Sequence, residues 1–317
     1  MKNLFGILLH LSRNMWSDKA EADVPYGCSF REDSLSLDQD TWDEVIRYAA
    51  ECGFNAILID LGDGIKYKTH PEIAIEGAWE TEKLKAALEK IRALGMTPLP
   101  KLNFSATHDA WLGKYQRMVG TEPYYQVCKD LIDEVIELFD KPDYFHLGLD
   151  EERGEEVYNS NDFTCYRKGK LLWNDIRFYL DCVRKQGVAP WIWADNFLYY
   201  PEEFLNRIPK DVILSSWYYY NIYGTDIPGD HPLRNTMKES YKKLAQEGYL
   251  QVPCGSNVWR ASATDHLMKH VSEVTEGKGI CGFLSAPWYP TTREYLMSIK
   301  EGLYLAKIAR ERYEIFQ

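Results

Sequence analysis

Short, almost uninterrupted apolar runs alternate along this chain with longer stretches whose apolar residues recur at helical spacing. The runs are Leu4–Leu9, Phe54–Leu61, Met96–Phe104, the segment Asp143–Leu147, Pro190–Ala194, Val212–Trp217, Leu250–Trp259 and Ile280–Trp288. Runs of this length, rich in β-branched and aromatic residues, read as strands buried on both faces. Between them the spacing predicts helices over Asp38–Cys52, Glu82–Leu94, Tyr124–Phe139, Leu171–Gln186, Glu202–Asn206, Arg234–Glu247, Thr264–Thr275 and Thr292–Arg312. Gly53, Gly95, Gly187, Gly248 and Gly277 stand where helices stop, and Thr81 reads as an N-cap. A polar loop over Asp18–Ser36 separates the first strand from the first helix.

Eight strands, each followed by a helix, predict a parallel sheet covered by helices. In 317 residues that is one (β/α)8 barrel, residues 1–317 forming a single catalytic-type domain. An open doubly wound sheet is disfavoured because no GxGxxG turn follows an early strand. No internal linker, repeat or low-complexity tract interrupts the pattern.

Composition narrows the partners. A net charge of −11 lacks the basic footprint that nucleic acid or an anionic membrane requires. No apolar stretch reaches membrane-spanning length. The apolar start at Leu4–Leu9 is short and has no cleavage site of small residues after it, so it reads as a strand. Seven dispersed cysteines suggest reduced thiols and a cytoplasmic setting. With no CxxC or His/Cys cluster, neither a metal nor a cofactor is expected.

In a barrel, chemistry gathers at the C-terminal strand ends. Those ends carry Ser12, Arg13 and Trp16; Asp60 and Asp63; Asn103 and His108; Asp150, Glu151 and Glu152; Trp193, Asp195 and Asn196; Trp217 and Tyr218–Tyr220; Asn257, Trp259 and Arg260; and Trp288 with Tyr289. A tryptophan from each of strands five to eight, together with acids and amides, suggests a carbohydrate pocket walled by aromatic faces. A carboxyl group in such a desolvated pocket has its pKa raised and can protonate a glycosidic oxygen. Asp150 and Glu151 converge only if the chain leaves the strand near Gly148, with Glu152 flanking them in solvent or in support. Lys101 reads as the partner of a pocket carboxylate. His10, His70, His231, His266 and His270 read as structural or surface groups.

The run His146-Leu147-Gly148-Leu149-Asp150-Glu151 resembles the His-x-Gly-Gly-Asp-Glu signature of family 20 glycoside hydrolases, the β-N-acetylhexosaminidases. Phe5–Met15 is similar to that family's first strand, with Arg13 at its second arginine, and Asn55–Gly64 to its second, with Asp63 at the aspartate. Pro100–His108 resembles its Pro-Glu-Ile-Asp-x-Pro-Gly-His run, with Asn103 replacing the aspartate and His108 one position late. The resemblance implies Glu151 as general acid/base and Asp150 as the residue orienting a 2-acetamido group that itself attacks the anomeric carbon. It also implies sugar-binding roles for Trp193, Trp217, Trp259 and Trp288, with His146 of the signature in the site; Asp195 and Asn257 are expected there as substrate ligands from their strand-end positions. Either Tyr218 or Tyr219 would hold the acetamido oxygen. The sequence departs from the family at Phe5, Leu149 and Tyr289-Pro290, where the family has an arginine, a glycine and a sugar-binding glutamate, and no accessory N-terminal domain is seen. Two other readings stay open: a two-carboxylate glycosidase pairing Glu151 with Asp60, Asp63 or Asp195, and a sugar-binding barrel without turnover.

Overall fold

The computed structural model describes residues 3–20, 29–152, 164–221 and 232–313. Cys28 and His231 lie outside them. Eight strands occur: β1 Leu4–His10, β2 Ala56–Asp60, β3 Thr97–Lys101, β4 Tyr144–His146, β5 Ala189–Trp193, β6 Ile213–Ser215, β7 Cys254–Gly255 and β8 Gly282–Ser285. Every strand pair is parallel, in the order β6-β5-β4-β3-β2-β1-β8-β7. The remaining gap between β6 and β7 is closed by the isolated bridges Leu214↔Gln251 and Trp217↔Cys254. The sheet is therefore a (β/α)8 barrel, as the alternation predicts.

The helices are α1 Gln39–Glu51, α2 Thr81–Ala93, α3 Glu122–Leu138, α4 Lys170–Lys185, α5 Asp195–Tyr199, α6 Pro201–Arg207, α7 Pro232–Gln246, α8 Ala263–Thr275 and α9 Leu296–Tyr313. Helix α5 and the 3-10 segment Ala110–Met118 lack a counterpart in the predicted pattern, being short and set in the loops that build the cavity. Thr81 is the first residue of α2 and not its cap, which is Glu80. Asp38 caps α1, its carboxylate accepting from Thr41 N at 2.8 Å.

Strand alternation divides the core in two. Phe5, Ile7, Leu9, Ile57 and Ile59 face outward and pack with the helices, whereas Leu4, Leu8, Ala56, Leu58, Leu99, Trp191, Ile213 and Leu284 fill the barrel. Phe5 stacks on Phe54, with ring centroids 4.0 Å apart. It lies in the sheet–helix layer, so the missing arginine there leaves no gap in a pocket.

Above the apolar filling lies a charged layer. The strand register sets His10 beside Asp60, Asp60 beside Lys101, and Lys101 beside His146. Lys101 Nζ pairs with the Asp60 carboxylate, and His10 Nδ1 is 3.5 Å from the same group. Burial works against the Asp60 charge, yet Lys101 and His10 outweigh it and hold the pKa down at about 2. This ionic layer is the floor on which the strand-end loops sit.

Candidate active site

The chain leaves β4 through a left-handed stretch. Gly148, Leu149 and Glu151 have φ of 72°, 70° and 52°. Successive residues of a regular strand face opposite ways, and this departure lets Asp150 and Glu151 line one cavity. A Cβ at Gly148 would lie 1.9 Å from Asn103 Oδ1 and 2.8 Å from Asn103 Cα, so only glycine fits. Leu149 carries a side chain in the same region, where a non-glycine residue costs roughly 1–2 kcal/mol. Its burial in the sheet–helix core offsets that cost.

The loop is held from three sides. Gly148 N donates to His146 Nδ1 at 3.0 Å, Leu149 N to Asn103 Oδ1 at 3.3 Å, and Glu151 N to Asp195 Oδ1 at 3.3 Å. Asn103 Nδ2 donates to Asp150 Oδ1 at 2.9 Å, so one amide fixes both the turn and the carboxylate. His108 Nε2 lies 3.3 Å from Glu151 Oε2 and 3.9 Å from Asp150 Oδ2, while its Nδ1 is 2.9 Å from Thr107 Oγ1. Burial disfavours a charge on His108, but Asp150 and Glu151 outweigh it and push the pKa up to about 9. The imidazolium thus faces both carboxylates at neutral pH.

The cavity has a volume of about 390 Å³ and is lined by Arg13, Trp16, Ser29, His108, Asp150, Glu151, Trp193, Trp217, Tyr219, Val258, Trp259 and Trp288. Its aromatic wall is continuous. Trp217 stacks on Tyr219 at 5.1 Å, Tyr219 meets Trp259 at 5.5 Å, and Trp193 meets Trp288 at 6.2 Å. Trp259 is 47% exposed and forms the rim. Three buried donors in the wall, Arg13 Nε, Trp193 Nε1 and Trp288 Nε1, have no acceptor.

Of the residues singled out in the sequence, Asp150, Glu151, Arg13, Trp16, His108, Trp193, Trp217, Tyr219, Trp259 and Trp288 meet in this cavity. The others do not line it. Asp63 is buried beneath, accepting from Ser12 Oγ and from Asn14 Nδ2 at 2.9 Å. Asn103 and His146 are buried supports of the β4 loop, and burial drives the His146 pKa well down. Asp195 sits behind the wall, accepting from Trp217 Nε1 at 3.1 Å; burial and the charges of Asp150 and Glu151 drive its pKa well up. Asn257 ties its loop to α9 by donating to Ser298 O at 2.9 Å. Tyr218 is buried in the sheet–helix core, and the neighbouring Tyr219 takes the place in the cavity. Glu152 is no solvated flank either. It is buried, accepting from Ala106 N at 3.1 Å and Asn196 Nδ2 at 3.3 Å, and burial pushes its pKa up to about 7.

Ser29 and Val258 line the cavity without having been singled out: Ser29 lies in the polar loop Asp18–Ser36, and Val258, between the strand-end residues Asn257 and Trp259, carries no polar or aromatic group. Among the described residues no group of three His, Cys, Asp or Glu side chains is placed to hold a metal ion, and no helix is long and apolar enough to cross a membrane.

No family model and no curated protein matches the sequence. Solved structures match the fold. The GH20 exo β-N-acetylglucosaminidase from Vibrio harveyi, in complex with N-acetylglucosamine, superposes with a TM-score of 0.61 at 14% identity, covering 99% of this chain and 58% of that one. The GH20 β-N-acetylhexosaminidase from Streptomyces coelicolor A3(2) gives 0.64 at 10% identity, with 96% and 64% covered. The chitobiase of Flavobacterium johnsoniae gives 0.64 at 17%, with 99% and 50% covered. The chain thus has the barrel fold of GH20 β-N-acetylhexosaminidases and spans between half and two thirds of the length of these three.

Proposed function

We propose that this chain is a divergent GH20-like glycosidase that releases a β-linked 2-acetamido-2-deoxy sugar with retention of configuration. One observation carries the reading: Asp150 and Glu151 are the carboxylates among the residues lining an aromatic-walled cavity, side by side and facing one imidazolium. Glu151 gives a proton to the leaving glycosidic oxygen as the bond to the anomeric carbon breaks. The acetamido oxygen attacks that carbon, and Asp150 orients the acetamide and balances the positive charge that grows on its nitrogen. The resulting oxazolinium is opened by water, whose proton returns to Glu151. In this reading Trp193, Trp217 and Trp288 wall the acetamide and the sugar face, and the role of holding the acetamido oxygen falls to Tyr219, the tyrosine among the cavity-lining residues.

A protein nucleophile is disfavoured by the positions of the other acids. Asp60 is bound to Lys101, Asp63 to Ser12 and Asn14, and Asp195 to Trp217, and none of the three lines the cavity. The proposal predicts hydrolysis of 4-nitrophenyl N-acetyl-β-hexosaminides and strong inhibition by a thiazoline mimic of the oxazoline. Hydrolysis that is indifferent to thiazolines would rule out attack by the acetamide. Glu151→Gln is expected to lower turnover about 10²–10⁴-fold while the sugar still binds. Unchanged turnover removes Glu151 from the mechanism.

A further inference from the structure

Among the described residues, Arg13 is the one cation of the cavity wall with no carboxylate at ion-pair distance. Its Nη2 donates to Ser29 Oγ and to Trp288 O, both at 3.3 Å, beyond the usual N–H···O range. Its Nε is buried and has no acceptor. The guanidinium carbon lies 5.1 Å from the centroid of the Trp16 ring. Among the described residues no Asp or Glu comes within ion-pair distance of it; Glu32, the acid that acts on it from farther away, accepts from Ser36 Oγ at 2.7 Å.

This is not for want of acids. The chain has 48 Asp and Glu against 37 Lys and Arg, and the buried Lys101 and the part-buried Arg167 are each paired, with Asp60 and Asp175. A desolvated cation left with neutral acceptors is costly unless something supplies the opposite charge. A guanidinium offers a planar fork of donors that matches carboxylate, sulfate and phosphate oxygens.

We infer that the sugar bound here carries an anionic substituent, a carboxylate or a sulfate or phosphate ester, which pairs with Arg13. The inference rests on the amino-sugar reading and adds the charge of its substrate. Asp150 and Glu151 repel an anion, so the substituent sits away from them. In the proposed reaction the anomeric carbon and the acetamide face those two acids, which leaves the oxygens at C3, C4 and C6 to carry it.

The test is calorimetric titration of the protein with N-acetylglucosamine, its 6-sulfate, its 6-phosphate and its 3-O-lactyl ether, which separate the three anion types. At least one anionic sugar is expected to bind ten-fold or more tightly than the neutral one, with the preference shrinking in 0.5 M salt, where the screening length is about half that at 0.1 M. Arg13→Gln is expected to bring the preference within about three-fold, and Arg13→Lys to keep part of it, because lysine retains the charge without the fork. The wild-type comparison needs no variant to fold. Equal or weaker binding of every anionic sugar overturns the inference, as does a preference that survives in Arg13→Gln. If the neutral aryl glycoside is still hydrolysed in either case, the amino-sugar reading stands and only the anionic subsite falls. A protein that neither binds nor hydrolyses any of these sugars overturns both.

Discussion

At the scale of single residues, two titrating groups beside the acid pair have opposite consequences. His108 has its pKa raised from 6.5 to about 9 in the folded chain. Its ion pairing therefore stabilises fully below about pH 6.5 and is lost as pH rises through 9. His108→Gln should lower stability by about 1–3 kcal/mol near pH 6, with the deficit shrinking as pH rises from about 6.5 to 9, as read from urea unfolding at several pH values. A deficit that is constant with pH would mean that the imidazole acts only by packing. Glu152 is a carboxyl whose pKa is raised from 4.5 to about 7, so the chain bears a penalty that grows between those two pH values and is complete above them. Glu152→Gln should stabilise by about 1–3 kcal/mol at pH 8 and by little at pH 4.5. The amide oxygen can still accept from Ala106 N, and the Asn196 amide turns over so that Oδ1, buried without a partner, faces the new NH2 in place of Nδ2. A variant that melts at the wild-type temperature at pH 8 would count against this.

At the scale of elements, the β4 loop depends on its turn more than on its strand, which is only Tyr144–His146. Gly148→Ala sets a methyl against Asn103, the amide that holds both the turn and Asp150. The expected outcome is loss of more than about 2 kcal/mol of stability and nearly all turnover, measured by unfolding and by aryl glycoside hydrolysis. The convergence of Asp150 and Glu151 was readable in the sequence because a glycine and adjacent acids closed a strand. Which polar groups reach the cavity was less readable. Asp63, Asn103, His146 and Asp195 stand at strand ends like the lining residues, but position along a strand does not separate a group facing the cavity from one buried behind it. Tyr218 and Tyr219 lie past the end of β6 at Ser215, where the two-residue period no longer tells which neighbour faces inward. Asn257 has the chemistry of a sugar ligand and spends it on α9.

At the scale of the whole molecule, the alternation of eight apolar runs with helices foretold the barrel, because each strand buried on both faces needs a helix over its outer side. The unevenness of the closure was not foretold. β1 and β2 share five register pairs, whereas β7 is two residues long and meets β6 only through isolated bridges. Leu250–Trp259 reads as one long strand, but ladder hydrogen bonding is confined to a few positions within it. Amide hydrogen exchange should therefore be faster at Val252 and Cys254 than at Ile57 through Asp60, although all are buried. Equal protection around the ring would show the closure to be as firm as the rest.

The uneven ring has a mechanical side. The acids hang from β4, clamped by Asn103 and Asp195, while Trp217 is itself half of one of the two bridges that close the barrel and carries Tyr219 and Trp259 beside it. The cavity is thus a vice with one fixed jaw and one compliant jaw. Under the proposed function, a bulkier sugar is expected to be accommodated by yielding of the aromatic jaw, with the spacing of Asp150 and Glu151 kept.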